Sequence, residues 1–481
     1  MWRPDDDVFH LAAETDSVTI GVGKMKGWIL GGIASTGVLA AVLFAATGLT
    51  AQQTASWPLS IVTIPAPSAS KSGEPQLTAS DRGVLLSWIE HDGSKTTLRF
   101  AERTPTGWTE PRTVASGDDW SVNAIDVPSV LRLANGTLVA QWLQKSGRGM
   151  HANEVRLSYA KDEGRTWAPS FTPHRNSTQS ERLFASLFQM PGSRLGLIWL
   201  EGPGMGSGTG DAARSGHNNH PTGADHAHQP PSGQQGHDAH GGRGVTSGSG
   251  AMGGGGAMTL RFASFDPAWK QTAAMPIDLR VCECCSTAAV ATSEGVLAAY
   301  RNRSDDEVRD IYVSRLARGH WTEPAVVQPD NWRIPACPIN GPALSTSGRN
   351  VVIAWYTVKQ DQGHAYLAFS RDAGRTFSQP VRLDDGASLG RVDVEVLPDG
   401  SALATWIEFA DGRSEFRARR VATDGARSAS LTVTGLAGGR TGGVPRVARH
   451  GDELVFAWTE SSGGAGQVRT AVARVPSGLT R

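Results

Sequence analysis

Apolar positions in this chain fall in short runs rather than long stretches. A run of small or aliphatic residues ending in an aromatic recurs seven times: Leu85-Leu86-Ser87-Trp88, Val139-Ala140-Gln141-Trp142, Gly196-Leu197-Ile198-Trp199, Leu297-Ala298-Ala299-Tyr300, Val352-Ile353-Ala354-Trp355, Leu403-Ala404-Thr405-Trp406 and Val455-Phe456-Ala457-Trp458. Successive copies lie fifty to sixty residues apart, with one interval nearly twice as long. A second aromatic follows in several units, at Trp108, Trp167, Trp321 and Phe377, with Trp269 displaced by the long interval. Runs this short, separated by Gly, Asp and Pro, predict four strands per unit. One such unit cannot bury its apolar faces alone, so the units pack radially as blades of an all-β propeller. The pattern predicts seven four-stranded blades over residues 59–478, with six as the competing count. The last unit, Val444 to Val475, offers three strands; Leu59 to Ile64, ahead of the first unit, supplies the fourth and closes the ring.

Two segments break this rhythm. From Gly27 to Ser70 there is no charged residue, and Trp28 to Ala51 is long enough to span a bilayer. Lys24 and Lys26 precede it, which places the rest of the chain outside the cytoplasm. Read from Met25, residues 25–51 have the form of a secretory signal peptide or a membrane anchor, with residues 27–49 as the anchoring part. Residues 1–24 are then a mis-assigned extension or a cytoplasmic tail. The expected location is periplasmic, cell-surface or secreted. The second break is the long interval, residues 202–257, a Gly-rich stretch with no Phe, Trp or Tyr. Its composition predicts a disordered insertion after the second strand of blade three. It carries His217, His220, His226, His228, His237 and His240, with Met205, Met252 and Met258 nearby.

Charge narrows the function. The chain has 46 Lys+Arg against 46 Asp+Glu, and without a basic surplus a dedicated nucleic-acid binder is excluded. The charges gather instead in loops that lead into the innermost strands. Blade six begins Arg391-Val392-Asp393-Val394-Glu395, whose period of two puts Arg391, Asp393 and Glu395 on one face. Blade seven's lead-in carries Arg440 and Arg446, blade five's carries Arg333, blade two contributes Asp126, and blade three Glu181 and Arg182. The stretch Arg301 to Asp310 in blade four is dense in both signs. A channel lined by arginines and carboxylates suits an anionic small molecule gripped by guanidinium forks. Ion pairs that merely plug the channel are the competing reading.

The four cysteines occupy two adjacent lead-in loops: Cys282, Cys284 and Cys285 before blade four, Cys337 before blade five. A propeller brings these loops together beside the channel. Two readings stay open. One is a disulfide between blades, Cys285–Cys337 or Cys284–Cys337. The other is a thiolate site for copper or zinc, with the histidines of the insertion as further ligands.

Ser370-Arg371-Asp372-Ala373-Gly374-Arg375-Thr376-Phe377 matches the Asp-box pattern, and Asp162-Glu163-Gly164-Arg165-Thr166-Trp167 is a second copy with Ala160 in place of its serine. On these residues the chain resembles the sialidase superfamily. In both copies the carboxylate is expected to hold a turn between outer strands. The resemblance implies a propeller that hydrolyses terminal sialic acids of anionic glycans. It further implies three arginines on the substrate carboxylate, a tyrosine nucleophile activated by a glutamate, and an aspartate acid/base. Arg333-Ile334-Pro335 matches the family's Arg-Ile-Pro letters, although it lies between the two boxes rather than ahead of them. Arg391 and Arg446 complete the triad by their place in the repeat. Asp393 and Glu395 stand as the carboxylates, and Tyr356 as the tyrosine, with Tyr300 as its alternative. Three functions follow: a binder or exo-sialidase-like hydrolase of an anionic glycan or small molecule, a copper- or zinc-binding propeller, and a protein-interaction scaffold.

Overall fold

The computed structural model describes residues 57–147, 152–175, 179–203, 258–436, 443–462 and 465–476. The segments 1–24 and 25–51, the six histidines of the insertion and Arg440 lie outside these. Among the described residues all regular structure is strand, and no helix is long and apolar enough to cross a membrane.

Each sequence unit folds into one antiparallel sheet, and there are seven. The innermost strands are Ser72–Ala79, Ser129–Arg132, Arg182–Met190, Ala288–Thr292, Ala343–Ser347, Ala387–Val396 and Arg446–His450, one per blade. Blade two is the leanest, its outer strand reduced to a single bridge between Leu157 and Phe171. The ring closes as the sequence predicts: Val62–Ile64 pairs antiparallel with Ala465–Arg474, Val62 opposite Val472 and Ile64 opposite Thr470.

The repeated aromatic sits in the second strand of every blade, and Trp88, Trp142, Trp199, Tyr300, Trp355, Trp406 and Trp458 are all buried. These strands are covered on both faces by neighbouring blades, so they read as continuous apolar runs rather than alternating ones. Emptying such a position typically costs about 3–5 kcal/mol. In five blades the residue opposite the tryptophan is an arginine: Arg99, Arg156, Arg261, Arg417 and Arg469 face Trp88, Trp142, Trp199, Trp406 and Trp458. In four of these a glutamate two residues after the tryptophan ion-pairs that arginine. The distances are 2.9 Å for Glu90–Arg99, 2.9 Å for Glu201–Arg261, 3.8 Å for Glu408–Arg417 and 2.8 Å for Glu460–Arg469. This Trp-x-Glu repeat was open to reading in the sequence and adds a polar stitch where each strand leaves the core.

Asp162 and Asp372 close turns between third and fourth strands. Asp372 Oδ1 accepts from the backbone N–H groups of Arg375 (3.0 Å) and Thr376 (2.9 Å), and Oδ2 from the Thr376 hydroxyl (2.6 Å). These donors hold its carboxyl down at about 2 against the opposing effect of burial. The long insertion runs between two paired strands of blade three, Arg194–Glu201 and Met258–Phe265. Its return point, Met258, lies opposite Val281, the residue before Cys282.

Removing the chain up to Ile64 leaves the outer face of Ala465–Arg474 without its partner strand. A chain starting at Pro65 is therefore expected to unfold at a lower temperature and to associate through the open edge. Calorimetry and sedimentation check this; an unchanged midpoint in a monomeric protein contradicts strand closure.

Candidate functional site

The innermost strands of all seven blades surround a cavity of about 210 Å³ on the ring axis. Gln76, Asp126, Asn340, Arg391, Asp393, Glu395 and Arg446 are among its polar lining. Backbone irregularity aims several of these. The innermost strands of blades one, three and six each carry a register shift, and Glu74, Phe184 and Arg391 there adopt left-handed φ angles of 52°, 53° and 56°. A bulge re-aims a side chain that a regular strand would point elsewhere. At blade six the bulge is locked from blade five: Asn340 Oδ1 accepts from Arg391 N at 2.9 Å, and Asn340 Nδ2 donates to the Leu389 carbonyl at 3.3 Å. Gly390, at φ 80°, has no alternative, because a Cβ there would lie 2.3 Å from Asn340 Oδ1. Arg391 Nη1 also donates to the Ile339 carbonyl.

The carboxylates join neighbouring blades as well as facing the channel. Asp126 Oδ2 accepts from Phe184 N at 2.7 Å, linking blades two and three. Asp393 Oδ2 accepts from Val447 N at 3.0 Å, linking blades six and seven. Glu395 Oε2 accepts from the Ser345 hydroxyl at 3.1 Å, linking six to five. Burial pushes Asp126 up to about 7 despite its hydrogen bond from Phe184. Burial, reinforced by the charge of Asp393, pushes Glu395 up to about 8. Asp393 is raised by burial too, with Arg446 opposing the shift. Arg446 is lowered by burial with Asp393 opposing, and its Nε has no hydrogen-bond partner among the described residues.

Four sequence-predicted residues, Arg391, Asp393, Glu395 and Arg446, thus line one cavity, and Asp126 joins them. Arg333 does not. It is exposed, bridges to Val308, and lines neither the channel nor the adjoining groove. The three predicted arginines therefore do not converge: Trp332 and Ile334 on either side line the adjoining groove, whereas the Arg333 side chain is exposed and lines neither cavity. Tyr356 lies in that adjoining groove, which it shares with Arg391, its ring edge-on to Trp332 at 5.6 Å. Tyr300 is a core residue: its hydroxyl donates to Asp278 at 2.7 Å, and burial raises its pKa, the reverse of what a nucleophile needs. Glu181 and Arg182 belong to the rim packing; Arg182 is fully buried and pairs with Glu201 at 2.9 Å. Gln76 and Asn340 were missed, since an isolated amide carries no sequence signal of its own.

The charged loop of blade four serves the cysteines instead of the channel. Arg309, 1% exposed, makes a two-pronged pair with Glu283 at 3.0 and 3.2 Å and a second pair with Glu307 at 2.9 Å. Arg303 joins both glutamates, at 3.2 and 2.6 Å. Arg301, wholly buried and lowered to about 10 by desolvation, donates to the carbonyls of Asn340, Arg309 and Tyr356 and stacks over Trp332. All four cysteines are joined. Cys284–Cys337 ties blade four to blade five, one of the two pairings the sequence left open, and Cys282–Cys285 closes within its own loop, a bridge the sequence did not suggest. Thiolate chemistry for copper or zinc at Cys282, Cys284, Cys285 and Cys337 therefore requires these bridges to open first.

No protein-family model and no curated protein matches the chain. Among solved structures it is similar to the polysaccharide lyase Uly1, at 10% identity and TM-score 0.47 over 84% of this chain and 89% of that one. It is similar to the NanB sialidase of Streptococcus pneumoniae in complex with an ammonioethanesulfonate, at 9% and 0.43 over 88% and 95%. It is also similar to the α-L-arabinofuranosidase Arb93A of Fusarium graminearum, at 10% and 0.41 over 86% and 97%. Likeness of this degree carries no substrate with it, and the seven-bladed ring stands on the chain's own strand order.

The raised carboxyls make stability fall with pH. An unfolded carboxyl releases its proton near pH 4, whereas folded Asp126 and Glu395 keep theirs to about 7 and 8. Between those limits the native state binds more protons, so unfolding becomes easier as pH rises. Asp126→Asn and Glu395→Gln remove this loss. Each is expected to raise the unfolding temperature relative to the parent more at pH 8 than at pH 4. A difference independent of pH contradicts the burial account.

Proposed function

We propose that this is an exported propeller whose channel binds the anionic end of a glycan or a small organic acid, with Arg391 and Arg446 on the carboxylate. The observation that carries this reading is the protonation balance of the cavity. By count it holds three carboxylates against two guanidiniums, which suggests an acidic pocket. Burial raises all three carboxyls, Glu395 to about 8 and Asp126 to about 7, so at neutrality the ionised carboxylates no longer outnumber the guanidiniums. The Arg446 Nε, with no acceptor among the described residues, is the kind of buried donor that a bound anion satisfies. Protonated Asp126 and Glu395 are hydrogen-bond donors toward the same ligand, as carboxylic acids are. At about 210 Å³ the cavity takes one acidic group or sugar rather than a polymer. Export is supported by the charge pattern around residues 25–51; sequencing the mature N-terminus tests it, and an intact N-terminus on cytosolic protein overturns it.

A second reading, exo-sialidase-like hydrolysis, is favoured by one feature. A carboxylic acid that titrates near neutrality, as Asp126 does, is what a general acid requires. Titrating sialic acid and glucuronic acid against the protein at pH 7 tests binding, and a fluorogenic sialoside tests turnover. Arg391→Ala and Arg446→Ala are each expected to weaken binding about 10- to 100-fold, the usual consequence of losing a charged hydrogen-bonded contact, while Arg333→Ala leaves it unchanged. Binding that is indifferent to both channel arginines overturns the assignment.

A further inference from the structure

One cluster of chemically active side chains has no part in the channel. The sulfurs of Cys282, Cys284 and Cys285 all lie within 4.8 Å of one another, the three residues are buried, and Cys337 is bonded to Cys284. We propose that these four sulfurs are a redox-gated site for a single thiophilic d10 cation, Cu(I) or Zn(II), closed while both disulfides are formed and opened when a dithiol reduces them.

Three observations carry this. The first is spacing. A tetrahedral centre with metal–sulfur bonds of ~2.3 Å sets its sulfurs ~3.8 Å apart, and the two bridges approach each other at 3.9 Å, between Cys282 Sγ and Cys284 Sγ. The second is redundancy. Cys284–Cys337 already links two blades across 53 residues, a long loop whose closure stabilises the fold. Cys282–Cys285 spans only three residues, closes almost no loop, and adds little to stability by that route. A second bridge in the same place is better explained by what its thiols do when reduced. The third is the surrounding shell. Arg309 Nη1 donates to Cys282 Sγ at 3.5 Å, and Glu283 and Glu307 hold its guanidinium in place. Metal-bound thiolates are oriented and tuned by N–H donors of this kind, so Arg309 is a positioning residue. Access exists through Cys337, which lines the adjoining groove of about 300 Å³.

The balance is simple. Each disulfide takes two electrons and two protons as a dithiol is oxidised to its own disulfide. The cation then displaces the thiol protons to solvent. None of the four cysteines lines the central cavity that holds Arg391 and Arg446, so this inference and the proposed channel function fail independently.

The test uses the full chain, which keeps the histidines of residues 202–257 constant. Oxidised protein, and protein reduced with dithiothreitol and desalted without oxygen, are each titrated with Cu(I) held by bicinchoninate and with Zn(II) held by a chromophoric chelator. Thiols are counted with a thiol-reactive reagent. The reduced chain is expected to take one equivalent more of one cation than the oxidised chain, with its four thiols then shielded. The double variant Cys282→Ser/Cys285→Ser, which keeps the bridge between blades, is expected to lose that equivalent. Arg309→Lys is expected to weaken it about tenfold. Equal metal uptake by oxidised and reduced chains, four thiols left reactive, or an extra equivalent that survives in the double variant overturns the proposal.

Discussion

Each blade presents two apolar faces and can cover neither by itself. Only packing against a blade on either side removes Trp88, Trp199, Trp355 and Trp406 from water, and all four are buried. That requirement has no natural end in an open stack, because a terminal blade would leave one face wet. The chain meets it by closing, with Val62–Ile64 completing the sheet that Ala465–Arg474 belongs to. Closure fixes what lies on the axis. Gln76 and Arg446 are far apart in sequence, yet both line one small cavity because both belong to innermost strands.

The same geometry explains why the site residues have two duties. Innermost strands of neighbouring blades do not share a sheet ladder, so side chains must bridge them. Asp126, Asp393 and Glu395 each accept a hydrogen bond from the next or preceding blade. Carboxyls placed for that purpose are buried, and burial raises their pKa values. The raised values of Asp126 and Glu395 in turn reduce the negative charge that faces the arginines. The electrostatic character of the channel thus follows from how the ring is stitched.

The fold was largely legible in the sequence because its determinants repeat. Seven copies of an aromatic-ended run, with a spare strand ahead of the first, specify both the blades and the closure. The turns of Asp162 and Asp372 were legible for a related reason, since a local motif carries its own hydrogen bonds. Site residues were legible where strand alternation or their place in the repeat pointed to the channel. Alternation placed Asp393 and Glu395 correctly, whereas Arg391 reaches the channel through a bulge that alternation does not foresee. Arg333 was misplaced because a three-letter match says nothing of whether its side chain faces the channel. The Cys282–Cys285 bridge escaped since adjacent thiols can pair in several ways, and Arg309 sets the loop conformation through contacts no sequence pattern records.

The most direct test of the account is a crystal structure of the protein at pH 7 with sialic acid or glucuronic acid bound. The ligand's carboxylate is expected in the central cavity, within hydrogen-bond distance of both Arg391 and Arg446. A carboxylate held at Arg333, or a ligand seated anywhere that leaves the channel arginines untouched, would contradict it.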